Sequence, residues 1–189
     1  AGETDEELSV FSSEEAPELN DAPDETMAAA ENEQNGVIDL TDNTKVSGGA
    51  YTISSAGDHR FTCKEGLETS NRIVVNGENI SAEANINIHL DNVNIKTSAD
   101  PALKINNNVE ATVTIYLTGT NNLITTNQFS AGLQKDNEAQ LIITNASDTT
   151  TGILKASSDG SGYGAGIGSG YYGSCNNITI NSGSINAKS

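Results

Sequence analysis

From Val37 onward, apolar and polar side chains alternate in short runs, and the runs return in the same order. Ile86, Ile88 and Leu90 precede Val93 and Ile95; Val113, Ile115 and Leu117 precede Leu123 and Ile124. Leu141 and Ile143 precede Ile153 and Leu154, and Ile178 and Ile180 precede Ile185 and Ala187. The starts of these runs lie 27, 28 and 37 residues apart. A third short element separates successive copies, at Ala102–Lys104, Ala131–Leu133 and Ala165–Ile167. A period of two places alternate side chains on one face of a strand, so each repeat offers three short strands. Upstream, Val37–Leu40, Tyr51–Ile53, Phe61–Cys63 and Ile73–Val75 continue the pattern less regularly. Asn, Asp, Gly, Ser and Thr fill the intervals, as turns require. No stretch after residue 37 shows the apolar period of an amphipathic helix.

Alternation alone would also suit a β-sandwich. A recurring set of three unequal strands suits a solenoid, in which each coil stacks on the one before it. The expected fold is therefore all-β, a parallel β-helix of about six coils spaced ~4.8 Å apart. Ile, Val and Leu would form ladders inside it, and Asn amides would stack at the turns.

Charge divides the chain differently. Of 26 acidic residues, 12 fall in residues 1–36, which hold no Lys or Arg. Residues 37–189 carry 14 acids and all 9 bases. Low hydrophobicity with like charge leaves too little apolar surface to offset chain entropy, so residues 1–36 read as a disordered acidic leader and 37–189 as the β-helix. The formal charge of −17 excludes electrostatic binding to nucleic acid. No apolar run has the ~20 residues that a bilayer-spanning helix needs, which argues against membrane insertion. The start at Ala1 suits a mature secreted protein, and the end at Ser189, inside a strand-like pattern, suggests that the natural chain continues.

The segments Leu90–Ile95, Asp100–Ile105 and Val113–Leu123 resemble the carbohydrate-binding domain family of secreted Gram-positive bacterial proteins. Ala131–Gln134 and the Gly-rich run Gly164–Asn181 are similar to the Ala-Gly-Ile-Gly coils of large Firmicute surface proteins. Together these cover about residues 75–189. The resemblance implies a right-handed β-helix shaped like pectate lyases, a secreted or cell-surface location, polysaccharide binding without a known reaction, and calcium bound at turns.

Several residues bear on that chemistry. Gly168, Gly170 and Gly173 match G-x-G-x-x-G, but a strand-like segment rather than a helix follows them, which rejects a dinucleotide site. Seven of residues 160–173 are Gly, so this stretch reads as a tightly turned or protruding loop that absorbs most of the lengthening from 28 to 37 residues. Tyr163, Tyr171 and Tyr172 lie in it, near Asn176. They either pack the loop onto the wall or, with Asn176, offer a sugar ring an apolar face and hydrogen bonds. Asp91 and Asp100 bracket a turn in the best-matched repeat and are the candidate calcium ligands, or else turn caps. Catalysis is not expected. The chain has no Asp-Asp pair and no Gly-His-Gly, its only arginines are Arg60 and Arg72, and His59 and His89 read as surface residues on strands. Cys63 and Cys175 sit on coils too far apart for the ~7 Å Cα limit of a disulfide unless the long Gly-rich loop folds back, so two separate buried thiols are expected. The rival readings are a structural stalk or adhesin repeat and, behind it, a pectin-active enzyme.

Overall fold

A computed structural model describes residues 36–159 and 162–189; the leader reading for 1–36 falls, but for Gly36, outside them. The first sheet stacks β1 (Val37–Asp39), β3 (Gly57–Thr62), β5 (Asn85–Asp91), β8 (Thr112–Thr118), β11 (Leu141–Asn145) and β14 (Ile178–Ile180). The second stacks β6 (Asn94–Thr97), β9 (Thr120–Thr125), β12 (Ile153–Ser158) and β15 (Ser184–Lys188). The third stacks β2 (Ala50–Ile53), β4 (Arg72–Val75), β7 (Leu103–Ile105), β10 (Leu133–Lys135) and β13 (Ile167–Gly168). All of these pairings are parallel. The chain runs from first to second to third sheet and then climbs one level. That is a parallel β-helix, and it excludes the antiparallel sandwich. Six levels are present in the first sheet, but only the coils starting at β5, β8 and β11 carry all three strands. In the first coil a 3₁₀ turn, Asn43–Lys45, replaces the second strand, and in the next only Thr69 pairs with Ile95.

Register follows the repeat read from the sequence. Ile86, Val113, Leu141 and Ile178 are successive partners, as are Ile88, Ile115, Ile143 and Ile180. In the third sheet Ile73, Leu103, Leu133 and Ile167 align. Ile86, Ile88, Leu90, Val113, Ile115 and Leu117 are fully buried, so alternate residues of each strand form one continuous core. The outward Asn residues stack as expected: Asn108 Nδ2 donates to Asn76 Oδ1 at 2.7 Å, and Asn122 Nδ2 to Asn94 Oδ1 at 3.1 Å.

The long repeat has a different origin from the one expected. Val113 to Leu123 spans ten residues, whereas the equivalent Leu141 to Ala156 spans fifteen. Most of the extra length is thus the turn between β11 and β12, closed by an antiparallel bridge from Ser147 to Thr150. The Gly-rich stretch adds less, because it lies against the coil below.

Candidate binding site

The turns after β9 and β12 occupy one corner of the cylinder, one level apart. The upper chain is laid flat on the lower on both sides of β13: before it, Tyr163 N–H donates to the Gln128 carbonyl at 2.7 Å, and after it, Tyr171 N–H donates to the Phe129 carbonyl at 2.9 Å. Glycine makes this approach possible. A β-carbon on Gly164 would overlap the Ser130 carbonyl, and one on Gly170 would meet the Phe129 carbonyl and the Gln134 side chain. The backbone is therefore applied to the wall rather than protruding, and the tyrosines between the glycines are what project.

They project together. The Tyr163 ring lies 6.4 Å from Phe129 and 4.7 Å from Tyr171, centroid to centroid. Tyr171 lies 5.4 Å from Phe129 and 4.0 Å from Tyr172. Exposure is 48 % for Phe129, 66 % for Tyr163, 39 % for Tyr171 and 91 % for Tyr172. Among the described residues six large apolar side chains are exposed, and four of them are these rings, so the apolar surface is concentrated in one patch. Tyr172 also has a left-handed backbone, φ 58°, which is costly for a bulky residue and must be held by its surroundings. A hydrogen bond with Tyr172 holds the Tyr171 phenol above its ordinary pKa, with desolvation adding to the effect.

A partly buried polar network holds this surface in place. Ala131 N–H donates to Gln134 Oε1 at 3.0 Å, and Gln134 Nε2 to Asp136 Oδ2 at 2.5 Å. Asp136 Oδ1 accepts from Gly170 N–H at 2.9 Å, tying the tyrosine chain to the lower coil. Beside it, Lys135 faces inward in register with Ile105 and is fully buried. Its ammonium donates to the Asn137 carbonyl at 2.7 Å and the Asn176 carbonyl at 2.9 Å, bridging two coils. Burial pushes its pKa down, against the opposing influence of Cys175 and Glu138.

The residues expected to act together are only partly brought together. Asn176 is on the turn leading to β14, its amide directed at Glu138 Oε1 at 3.5 Å and its carbonyl taken by Lys135. Asp91 ends β5 and accepts from the Asn92 amide at 2.8 Å. Asp100 lies at the next corner of the same coil, 3.1 Å from the Arg72 guanidinium. The two carboxylates thus sit at successive corners of that coil, each with its own partner. Among the described residues no group of three or more His, Cys, Asp or Glu is arranged to hold a metal. Cys63 and Cys175 are both free thiols, but only Cys63 is buried as expected; Cys175, on the turn before β14, is partly exposed. His89 sits on the outer face of the first sheet, 2.7 Å from Asp58 and stacked on Tyr116 at 4.7 Å. That hydrogen bond chiefly holds the Asp58 carboxyl below its ordinary pKa.

The sequence reading missed Phe129. Aligning Ala131–Leu133 with Ala165–Ile167 places Phe129 at the position of Tyr163, each two residues before the Ala, so the repeat itself carried the signal. Compared with family models, with curated proteins and with solved structures, the chain matches none of them.

Proposed function

We propose that this is an extracellular, secreted or surface-attached, polysaccharide-binding module that works without turning its ligand over. The observation that carries the reading is the exposed cluster Phe129, Tyr163, Tyr171 and Tyr172, held on a rigid stack of strands. Aromatic faces match the C–H faces of pyranose rings, and the Tyr172 ring, though it touches Tyr171, is left open to a ligand. A bulky side chain kept in a left-handed conformation at the most exposed point of the patch adds to the case. The resemblance of residues 75–189 to the carbohydrate-binding family supports the same ligand class.

Calcium is a lesser part of this proposal. With Asp100 engaged by Arg72, a bound ion would rely on turn carbonyls and amide oxygens, with Asp91 as its one carboxylate from the expected pair. Titration with cello-oligosaccharides and polygalacturonate, with calcium and then with chelator, tests both parts. Tyr172→Ala is expected to weaken binding about tenfold, the loss of one stacked ring, with an unchanged melting temperature. Calcium-independent binding would remove the ion from the proposal. Absence of binding to any polysaccharide would favour the stalk or adhesin reading, which the uninterrupted ladders of the coils already suit.

A further inference from the structure

A second polar cleft opens at the corner between the first and second sheets, away from the aromatic patch. Thr62, Asp91 and Thr118 are aligned at the ends of β3, β5 and β8, and Asn94 and Asn122 are aligned in β6 and β9. After Thr62 the chain does not turn directly into the next strand but swings out as residues 63–68. This loop is firmly built. Leu67 N–H donates to the Lys64 carbonyl at 2.9 Å, Gly66 turns with φ 74°, and the Asn94 amide donates to the Leu67 carbonyl at 3.2 Å. The loop forms one wall, and Asp91, Asn94 and Asn122 line the opposite side, enclosing about 500 Å³. That volume falls within the range of small-ligand sites, ~300–1,000 Å³.

The lining has hydrogen-bonding capacity left over. Asn122 spends its amide on Asn94 Oδ1, which leaves its own Oδ1 without a partner among the described residues. Asp91 spends Oδ1 on Asn92, and its second oxygen is open. Lys64 and Glu65 make no ion pair among the described residues. The lining sets the carboxylates of Glu65 and Asp91 against the one ammonium of Lys64, an excess of a single negative charge that disfavours an anionic ligand, and the amides of Asn92, Asn94 and Asn122 add neutral donors and acceptors. Leu67, 48 % exposed, supplies one apolar contact at the lip. Hydroxyl groups donate and accept at once, so an uncharged polyol with a C–H face fits this lining best.

We infer that the cleft is a second saccharide site, taking one or two residues of a neutral glycan chain. The inference rests on the polysaccharide-binding reading for its ligand class, though on different residues. Two sites at different corners let one rigid module grip a chain twice or bridge two chains, raising avidity without new contacts.

Amide spectra of the whole labelled chain, titrated with cellohexaose, xylohexaose and chitohexaose, test it. At least one sugar should shift Gly66, Leu67 and Asn122 in a transition separate from that of Tyr171 and Tyr172. Lys64→Ala combined with Leu67→Ala should weaken the cleft transition about tenfold and leave the aromatic one unchanged; both side chains lie on an exposed loop, so folding is spared. Tyr172→Ala should do the reverse. Cleft amides that stay still while the tyrosine loop titrates would overturn the inference and keep the aromatic site. Cleft shifts with a silent tyrosine loop would uphold it and remove the aromatic site. No shift at either place with any of the three sugars would overturn both.

Discussion

Lys135 occupies a ladder position that its neighbours Val75 and Ile105 fill with apolar groups. An ammonium survives there because two turn carbonyls from successive coils accept its hydrogen bonds, replacing the water it gave up. The position next to it, Gln134, faces outward yet is buried because the tyrosine chain covers it. Cys63 shows the other outcome of burial. Desolvation raises its pKa above the ordinary thiol value, partly opposed by a hydrogen bond from Asn94 N–H at 3.2 Å. The folded protein therefore keeps this proton to higher pH than the unfolded chain does. Its contribution to stability is complete below the unfolded value, about 8.5, and is lost as pH rises through the folded one. Urea unfolding of wild type and Cys63→Ala between about pH 7 and pH 10 should show a gap that narrows with pH. A gap constant to the alkaline end would mean the thiol is solvated. In the same protein Cys175, only half-buried, should react first with a thiol reagent.

At the scale of the strand, the inner faces carry the fold. Ile115 lies in the middle of β8, paired with Ile88 below and Ile143 above, and is fully buried. Ile115→Ala should cost about 2–5 kcal/mol, since neighbours fixed in their own ladders cannot collapse into the space. Thermal and urea unfolding would show it, and a loss under about 1 kcal/mol would mean the interior relaxes more than a close-packed core does. The second sheet is less apolar: Thr97, Thr125 and Ser158 align at its inner positions and are buried. Thr125 resolves its polarity by donating to the Asp100 carbonyl at 2.9 Å. This is why the second sheet alternates less clearly in the sequence than the first.

For the whole molecule, protection should be graded along the cylinder axis. Strands β5, β8 and β11 have a parallel neighbour on each side, whereas β14 and β15 are paired on one side only. Ile180 continues the ladder of Ile143 but is 51 % exposed. In a stack where each coil touches only its neighbours, opening starts at an end. Hydrogen exchange should be slowest in β5, β8 and β11 and fastest in β14 and β15. Uniform protection from end to end would contradict a quasi-one-dimensional stack.

Much of this architecture was legible beforehand. Alternation fixes which residues of a strand share a face, and recurrence at 27 and 28 residues fixes which strands are neighbours, because parallel coils must align like with like. The positions of the third-sheet strands followed from the Ala-Gly-Leu and Ala-Gly-Ile copies. Tyr163, Tyr171 and Tyr172 could be named as a group because they are close in sequence. Phe129 could not be joined to them by proximity, since 34 residues separate it from Tyr163, and only stacking of one coil on the next makes them touch. Nor could the cleft be foreseen, because Lys64, Asp91 and Asn122 belong to three successive levels. Local periodicity is written in the chain, where it depends on neighbours a few residues apart. A surface assembled across coils depends on how far each turn swings out, and that was decided only when the coils were stacked.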